Sequence, residues 1–208
     1  MQTACLTVDS ETRKETASEY INLEIQINPV TTVDLITKQG KSLPFKARAL
    51  LDSASGINWC HKDLLEFVKY DDLGATTMRV QIFEGSVKKK YKYVQIFYTI
   101  DGREGSLKCF VTDQYAWFNE VKGLTEYIKE KAQNLKIIDP AQNCTHDSFY
   151  NKKEIALILG PYASFKLCDK EKDRKFIDGV LYEPYRLQKG IGYVYSGVLP
   201  KKLLKGKI

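Results

Sequence analysis

The chain has 208 residues, of which 43% are hydrophobic and 28% charged, and it carries a formal charge of +6. This is the balance of a globular protein with a real core, in a length that suits one domain with decorations. No apolar run approaches the roughly 18 residues needed to cross a bilayer, so no membrane partner is expected. The opening Met1-Gln2-Thr3-Ala4-Cys5 lacks a basic stretch and a long apolar one, and no signal peptide is read there. Lysines far outnumber arginines, and so modest a positive balance draws acidic partners weakly without indicating nucleic-acid binding.

The cysteines Cys5, Cys60, Cys109, Cys144 and Cys168 are odd in number, widely spaced and form no Cys-x-x-Cys pair. Neither a disulfide framework nor a structural zinc site follows from that spacing. The expectation is no metal, no cofactor and reduced thiols in a cytoplasmic (intracellular) protein.

Residues 1–19 are polar and read as a flexible leader. Clean apolar/polar alternation begins at Ile21-Asn22-Leu23-Glu24-Ile25-Gln26-Ile27, which predicts a half-buried strand ended by Asn28-Pro29. A second strand is expected over 32–36, with a turn at 38–41. Residues 45–51 form an extended run that feeds into the small-residue loop Asp52-Ser53-Ala54-Ser55-Gly56. Leu64, Leu65, Phe67 and Val68 then predict a short helix over 61–70.

Strands follow at 77–83, 91–100 and 106–112. The tip Glu84-Gly85-Ser86 joins the first two, and Asp101-Gly102 marks a tight hairpin between the last two. Residues 115–150 change character and read as an insertion, helical over 117–131. The continuous apolar run 154–160 predicts a strand buried on both faces, and 190–197 another short β segment. Residues 201–208 form a basic tail, free to fray.

The sharpest chemical feature is Ala49-Leu50-Leu51-Asp52-Ser53, an apolar strand that delivers a carboxylate and a hydroxyl into a small-residue loop. Two such carboxylates a few ångströms apart cannot both ionise and share a proton; the charged one activates water while the protonated one polarises a carbonyl. By itself Asp-Ser is weak, since Asp9-Ser10 and Asp147-Ser148 also occur and, taken alone, the pair reads more readily as an ordinary strand-to-helix cap.

Ala49-Leu50-Leu51-Asp52-Ser53-Ala54-Ser55-Gly56-Ile57-Asn58-Trp59 resembles the active-site segment of BEL/Pao retrotransposon aspartic peptidases, whose loop reads Asp-Ser-Gly-Ser. Leu157-Ile158-Leu159-Gly160 resembles the second signature of retropepsins, and Gly190-Ile191-Gly192-Tyr193-Val194-Tyr195-Ser196-Gly197 the segment that follows the peptidase in those elements. The three occur in the family's order across residues 20–200. The resemblance implies a mainly β, retropepsin-like acid protease barrel with a short helix after the catalytic loop. It implies Asp52 as the catalytic aspartate, Ser53 as the hydroxyl that locks the loop, and Ala54 beside them. Glu84, Gly85 and Ser86 would form the tip of a substrate-covering flap.

No second Asp-Ser/Thr-Gly occurs, so the implied enzyme is a homodimer acting on a polyprotein or peptide. Three departures from the family stand in the chain: Ala54 replaces glycine, Gly85 is the only glycine of the flap tip, and Pro161-Tyr162 follow Gly160 where an Asp is common. They open a second expectation, a catalytically inactive domesticated domain kept for dimerisation or for binding a protein partner.

Cys60-His61 and Cys144-Thr145-His146 suit packing, surface or capping roles better than a metal or thiol site, because no ligand spacing accompanies them. Lys88-Lys89-Lys90-Tyr91-Lys92-Tyr93 mixes bases with aromatics, yet on a strand it reads first as a solvated edge guarded by lysine, and a nucleic-acid partner is not expected.

Overall fold

A computed structural model describes residues 24–82, 85–114, 116–117, 121, 123–140, 154–187 and 190–204. The leader and residues 205–208 of the basic tail lie outside these residues.

The architecture is mainly β, as the alternating pattern implied, and its sheets are open rather than closed into a barrel. The strands are β1 (Glu24–Ile27), β2 (Val30–Val33), β3 (Ala47–Leu51), β4 (Trp59–His61), β5 (Tyr70–Ile82), β6 (Gly85–Ile100), β7 (Arg103–Thr112), β8 (Ala116–Trp117), β9 (Glu154–Ile155), β10 (Leu157–Leu159), β11 (Lys175–Ile177), β12 (Val180–Arg186) and β13 (Ile191–Pro200). Two α-helices are described, α1 (Leu124–Lys131) and α2 (Pro161–Leu167). The larger sheet has the order β2-β3-β10-β4-β7-β6-β5 and the smaller β1-β13-β12-β11, while β8 and β9 pair by themselves.

The run at 154–160 behaves as its composition requires. Its β10 portion lies inside the large sheet, parallel to β3 and antiparallel to β4. With neighbours on both sides and side chains on both faces, a strand there must be apolar throughout. Ala156 separates β9 from β10, and its N–H and C=O still bond to the Arg48 carbonyl and the His61 N–H.

Two hydrophobic clusters fill the molecule. The first gathers Ala49, Leu51, Cys60, Val94, Cys109, Leu157 and Leu159 from the large sheet and Leu64 from the 3-10 turn after β4, with Tyr185 and Val194 from the small sheet. The second joins Val180, Tyr182, Tyr195 and Leu199 to Leu124, Tyr127 and Ile128 of α1. Neighbouring residues Val194 and Tyr195 of β13 therefore serve different cores, as a two-residue side-chain period dictates for a sheet covered on both faces.

Several expected elements differ in extent. The helix expected over 61–70 is a five-residue 3-10 turn, Lys62–Glu66. Val68 then pairs with Thr37 in an isolated bridge and β5 begins at Tyr70, so extended pairing takes over where the helix was expected to continue. The helix expected over 117–131 is confined to α1: Gly123 sits at φ 76°, a left-handed conformation that starts the helix afresh, and Ala116–Trp117 is a strand. The described part of 115–150 is not a protrusion, since α1 closes the second core. The strand expected over 32–36 ends at Val33, with Leu35 and Ile36 held only by isolated bridges.

The Asp101-Gly102 turn has φ of 49° and 72° and joins β6 to β7, as its dipeptide demands. Asp178-Gly179, at 50° and 83°, makes the same turn between β11 and β12. No described helix is long and apolar enough to cross a membrane.

Candidate active site

Asp52 follows directly on β3, whose Ala47, Arg48 and Ala49 are buried and whose last residue, Leu51, is 7% exposed. The Asp52 N–H donates to the Leu159 carbonyl at 2.9 Å, extending the β3–β10 ladder one residue beyond the strand. The carboxylate is thereby set at the tip of a rigid, paired strand rather than on a free turn. Its Oδ1 accepts the Ala54 N–H at 2.9 Å, and the Asp52 carbonyl accepts the Ser55 N–H at 3.2 Å, so the loop closes on itself. Asp52 is half-buried, whereas Ser53 and Ala54 are exposed.

The far side of the loop is fastened by residues that the motif did not single out. Ser55 Oγ donates to the Ile57 carbonyl at 2.6 Å. Asn58 Oδ1 accepts the Gly160 N–H at 2.9 Å while its Nδ2 donates to the Lys108 carbonyl at 3.0 Å, tying the loop to the end of β10 and to β7. A Cβ on Gly160 would stand 2.6 Å from the Ser55 carbonyl oxygen. The glycine is thus required by backbone approach and not by its dihedral angles, which are ordinary at φ −69° and ψ 175°.

The sequence-expected flap residues fall at the far end of the β5–β6 ribbon. Glu84 lies outside the described residues; Gly85 pairs with Ile82 and Ser86 with Gln81. β5 and β6 end the seven-strand order while β3 is second in it, so the ladder does not bring Gly85 and Ser86 to Asp52. Before Tyr93, β6 pairs only with β5, and Lys88, Lys89 and Lys90 are exposed there, as expected of an edge.

Two clefts flank α2. One, of about 360 Å3, lies beside the loop between Leu51, Ser53, Phe165 and Tyr185, with the Arg174–Glu183 ion pair (3.1 Å) on its wall. The other, about 470 Å3, opens past Gly56, Ile57 and Asn58. Beside it, half-buried Trp59 meets Tyr91 edge-on with 5.0 Å between ring centroids, and Tyr93 lies against Phe110 at 4.6 Å.

The rival chemistries find little support. Cys60 is fully buried, which agrees with a packing role, and the Cys60 thiol together with burial holds the neighbouring Cys109 thiol well above the ordinary thiol range. The Cys109 thiol therefore stays protonated and unreactive. His61 is buried, contrary to a surface placement, but it does cap: Nδ1 accepts the Asp63 N–H at 3.3 Å at the start of the 3-10 turn. His146 and Cys144 lie outside the described residues, among which no cluster of potential metal ligands occurs.

Asn58 and Gly160 both stand in segments that carry the family resemblance, but their roles in fastening the loop were not read from the sequence. Comparison with protein-family models, with curated proteins and with solved structures finds no match.

Proposed function

We propose that this chain is a retropepsin-like aspartic peptidase domain, similar to those that process BEL/Pao polyproteins, and that it works as a homodimer. The observation that carries the reading is Asp52: a half-buried carboxylate at the tip of a buried apolar strand, fixed through its own N–H to the Leu159 carbonyl.

In the dimer the two Asp52 carboxyls share one proton across the two-fold axis and titrate as a unit. The charged member takes a proton from a water molecule whose oxygen attacks the scissile carbonyl carbon. The protonated member gives its proton to the carbonyl oxygen. Collapse of the tetrahedral diol breaks the C–N bond: the proton taken from water passes to the leaving amine, and one diol hydroxyl returns its proton to the other aspartate, which restores the shared-proton pair. The Ala54 N–H on Oδ1 orients each carboxylate, and the exposed Ser53 hydroxyl faces the task of holding the loops together.

A test is digestion of a peptide library by the purified chain between about pH 4 and 7, the range of a shared-proton dyad. Cleavage that disappears in Asp52→Asn supports the reading; intact peptides across the whole range remove it.

Ala54 favours a second reading, a domain that keeps this fold to dimerise or to hold a protein partner without cutting it. A methyl group where the family has glycine occupies the exposed tip beside Asp52, where a peptide or the opposing loop must approach. Restored cleavage in Ala54→Gly, in a wild-type chain that binds peptide but leaves it whole, distinguishes the two.

A further inference from the structure

The cleft of about 470 Å3 past Asn58 is not used by the chemistry above, and its lining is one-sided. Lys108 of β7 and Lys166 of α2 line it from opposite elements, with Tyr93, Phe110 and Tyr162 supplying aromatic walls. No acidic residue is among those that line it. Neither lysine has a carboxylate partner among the described residues; Lys166 lies over the Tyr162 ring, 4.7 Å from its centroid. Elsewhere on the surface the chain does pair its lysines, as in Lys92–Asp72 at 3.0 Å and Lys131–Asp178 at 3.0 Å. Two lysines on the lining of one largely apolar recess that holds no acidic residue leave a positive bias that a bound anion meets.

The recess is also preformed. Asn58 spends its amide on the Gly160 N–H and the Lys108 carbonyl, fixing the two walls to each other, so little ordering is left for the moment of binding. One wall begins at Gly160, the residue after the Leu159 carbonyl that holds Asp52, and another at Gly56, four residues past Asp52 on the same loop. The cleft and Asp52 thus share the chain segment 52–58 and the strand end at Leu159–Gly160.

We infer that this cleft is a specificity subsite that takes an acidic side chain of the bound polypeptide, its carboxylate between Lys108 and Lys166 and its stem against Tyr93 and Phe110. The inference rests on the reading of the chain as a polypeptide-binding domain, and it does not require that the chain cut. Aromatic walls alone would fit stacked bases of a single-stranded nucleic acid, but a single recess lined by two lysines matches one localised carboxylate better than a continuous phosphate backbone.

The test uses the full chain carrying Asp52→Asn, which binds without cleaving, and octapeptide pools blocked at both ends so that side chains are the only carboxylates. Pools with a fixed Glu, Gln or Lys are titrated by fluorescence anisotropy at low salt. The Glu pools bind about tenfold more tightly than the Gln pools, the yield of two exposed ion pairs. Lys108→Glu with Lys166→Glu abolishes that preference or turns it toward the Lys pools, while the exposed control Lys201→Glu keeps it. Equal binding of Glu and Gln pools, a preference that survives the charge reversal, or binding of no pool overturns the inference, as does lysine-dependent binding of single-stranded RNA alone. Cleavage by the unmodified chain is read separately. Acidic preference without cleavage removes the peptidase chemistry and keeps the subsite; cleavage without acidic preference does the reverse.

Discussion

Gly160 and Ser55 lie so close that a side chain on the glycine has no room: a Cβ there would meet the Ser55 carbonyl oxygen at 2.6 Å. That approach presses the end of β10 against the back of the Asp52 loop, and the loop takes its shape from the contact.

Gly160→Ala is accordingly expected to destabilise the fold by about 1–3 kcal/mol, the usual cost of forcing backbone apart in a packed region. Urea denaturation of the purified variant measures it. Gly56→Ala serves as the comparison, since a Cβ on Gly56 meets nothing within 4 Å, and it is expected to change stability far less.

Asn58 makes a separate contribution to the same loop. Asn58→Ala removes the bonds to the Gly160 N–H and the Lys108 carbonyl at once and is expected to cost about 1–3 kcal/mol. Because both bonds run from the loop to other strands, hydrogen exchange should quicken at Gly160 in this variant, while the β11–β12 hairpin keeps its protection.

How far the sequence reveals this arrangement depends on where each signal resides. The two-residue alternation of 21–27 and the unbroken apolar run of 154–160 describe side chains facing a core, and those are local facts of composition; both segments are strands, in so far as they are described. Asp101-Gly102 is equally local, and Asp178-Gly179 carried the same signal without being read. The 61–70 segment misleads because Leu64, Leu65 and Val68 are buried in a 3-10 turn followed by a bridge as readily as in a helix. The partners of the Asp52 loop are about a hundred residues away in Leu159 and Gly160, and local pattern holds no trace of such distant backbone contacts. The chain is mainly β as its alternation implied, while the order of strands in its open sheets depends on pairings of that long-range kind.

Tyr182 supplies a test of the second core. Its side chain is fully buried and its hydroxyl has no hydrogen-bond partner among the described residues. Burial, with Tyr127 nearby, pushes its pKa up to about 12. Tyr182→Phe is expected to be neutral or to stabilise by up to about 1 kcal/mol, since it removes an unsatisfied buried group while keeping the ring. The folded chain holds this proton more tightly than the unfolded chain, so stability is lost as pH rises from about 10 toward 12, and Tyr182→Phe loses that part of the decline. Thermal melts of both proteins across that range measure the difference.

Asp169 tests the junction of α2 with β12. Removal from water would raise its carboxyl, but the N–H groups of Glu171 and Lys172 and the Arg186 guanidinium at 3.0 Å outweigh that and hold it below the ordinary carboxylate value. A lowered folded value means a contribution fully present at neutral pH and lost as pH falls below about 4. Asp169→Ala is expected to cost about 1–3 kcal/mol at pH 7. Denaturation of the two proteins at pH 7 and again near pH 2.5 should show the gap closing in acid.

The most direct test of the account is the cleavage of a peptide library by the wild-type chain and by Asp52→Asn, followed by mass spectrometry as a function of pH and protein concentration. The account predicts products between about pH 4 and 7, a rate that rises faster than linearly with concentration while the dimer is dilute, and no products from Asp52→Asn, whose amide still accepts the Ala54 N–H and keeps the loop folded. Products that persist in Asp52→Asn, or a rate strictly proportional to concentration throughout, would contradict it.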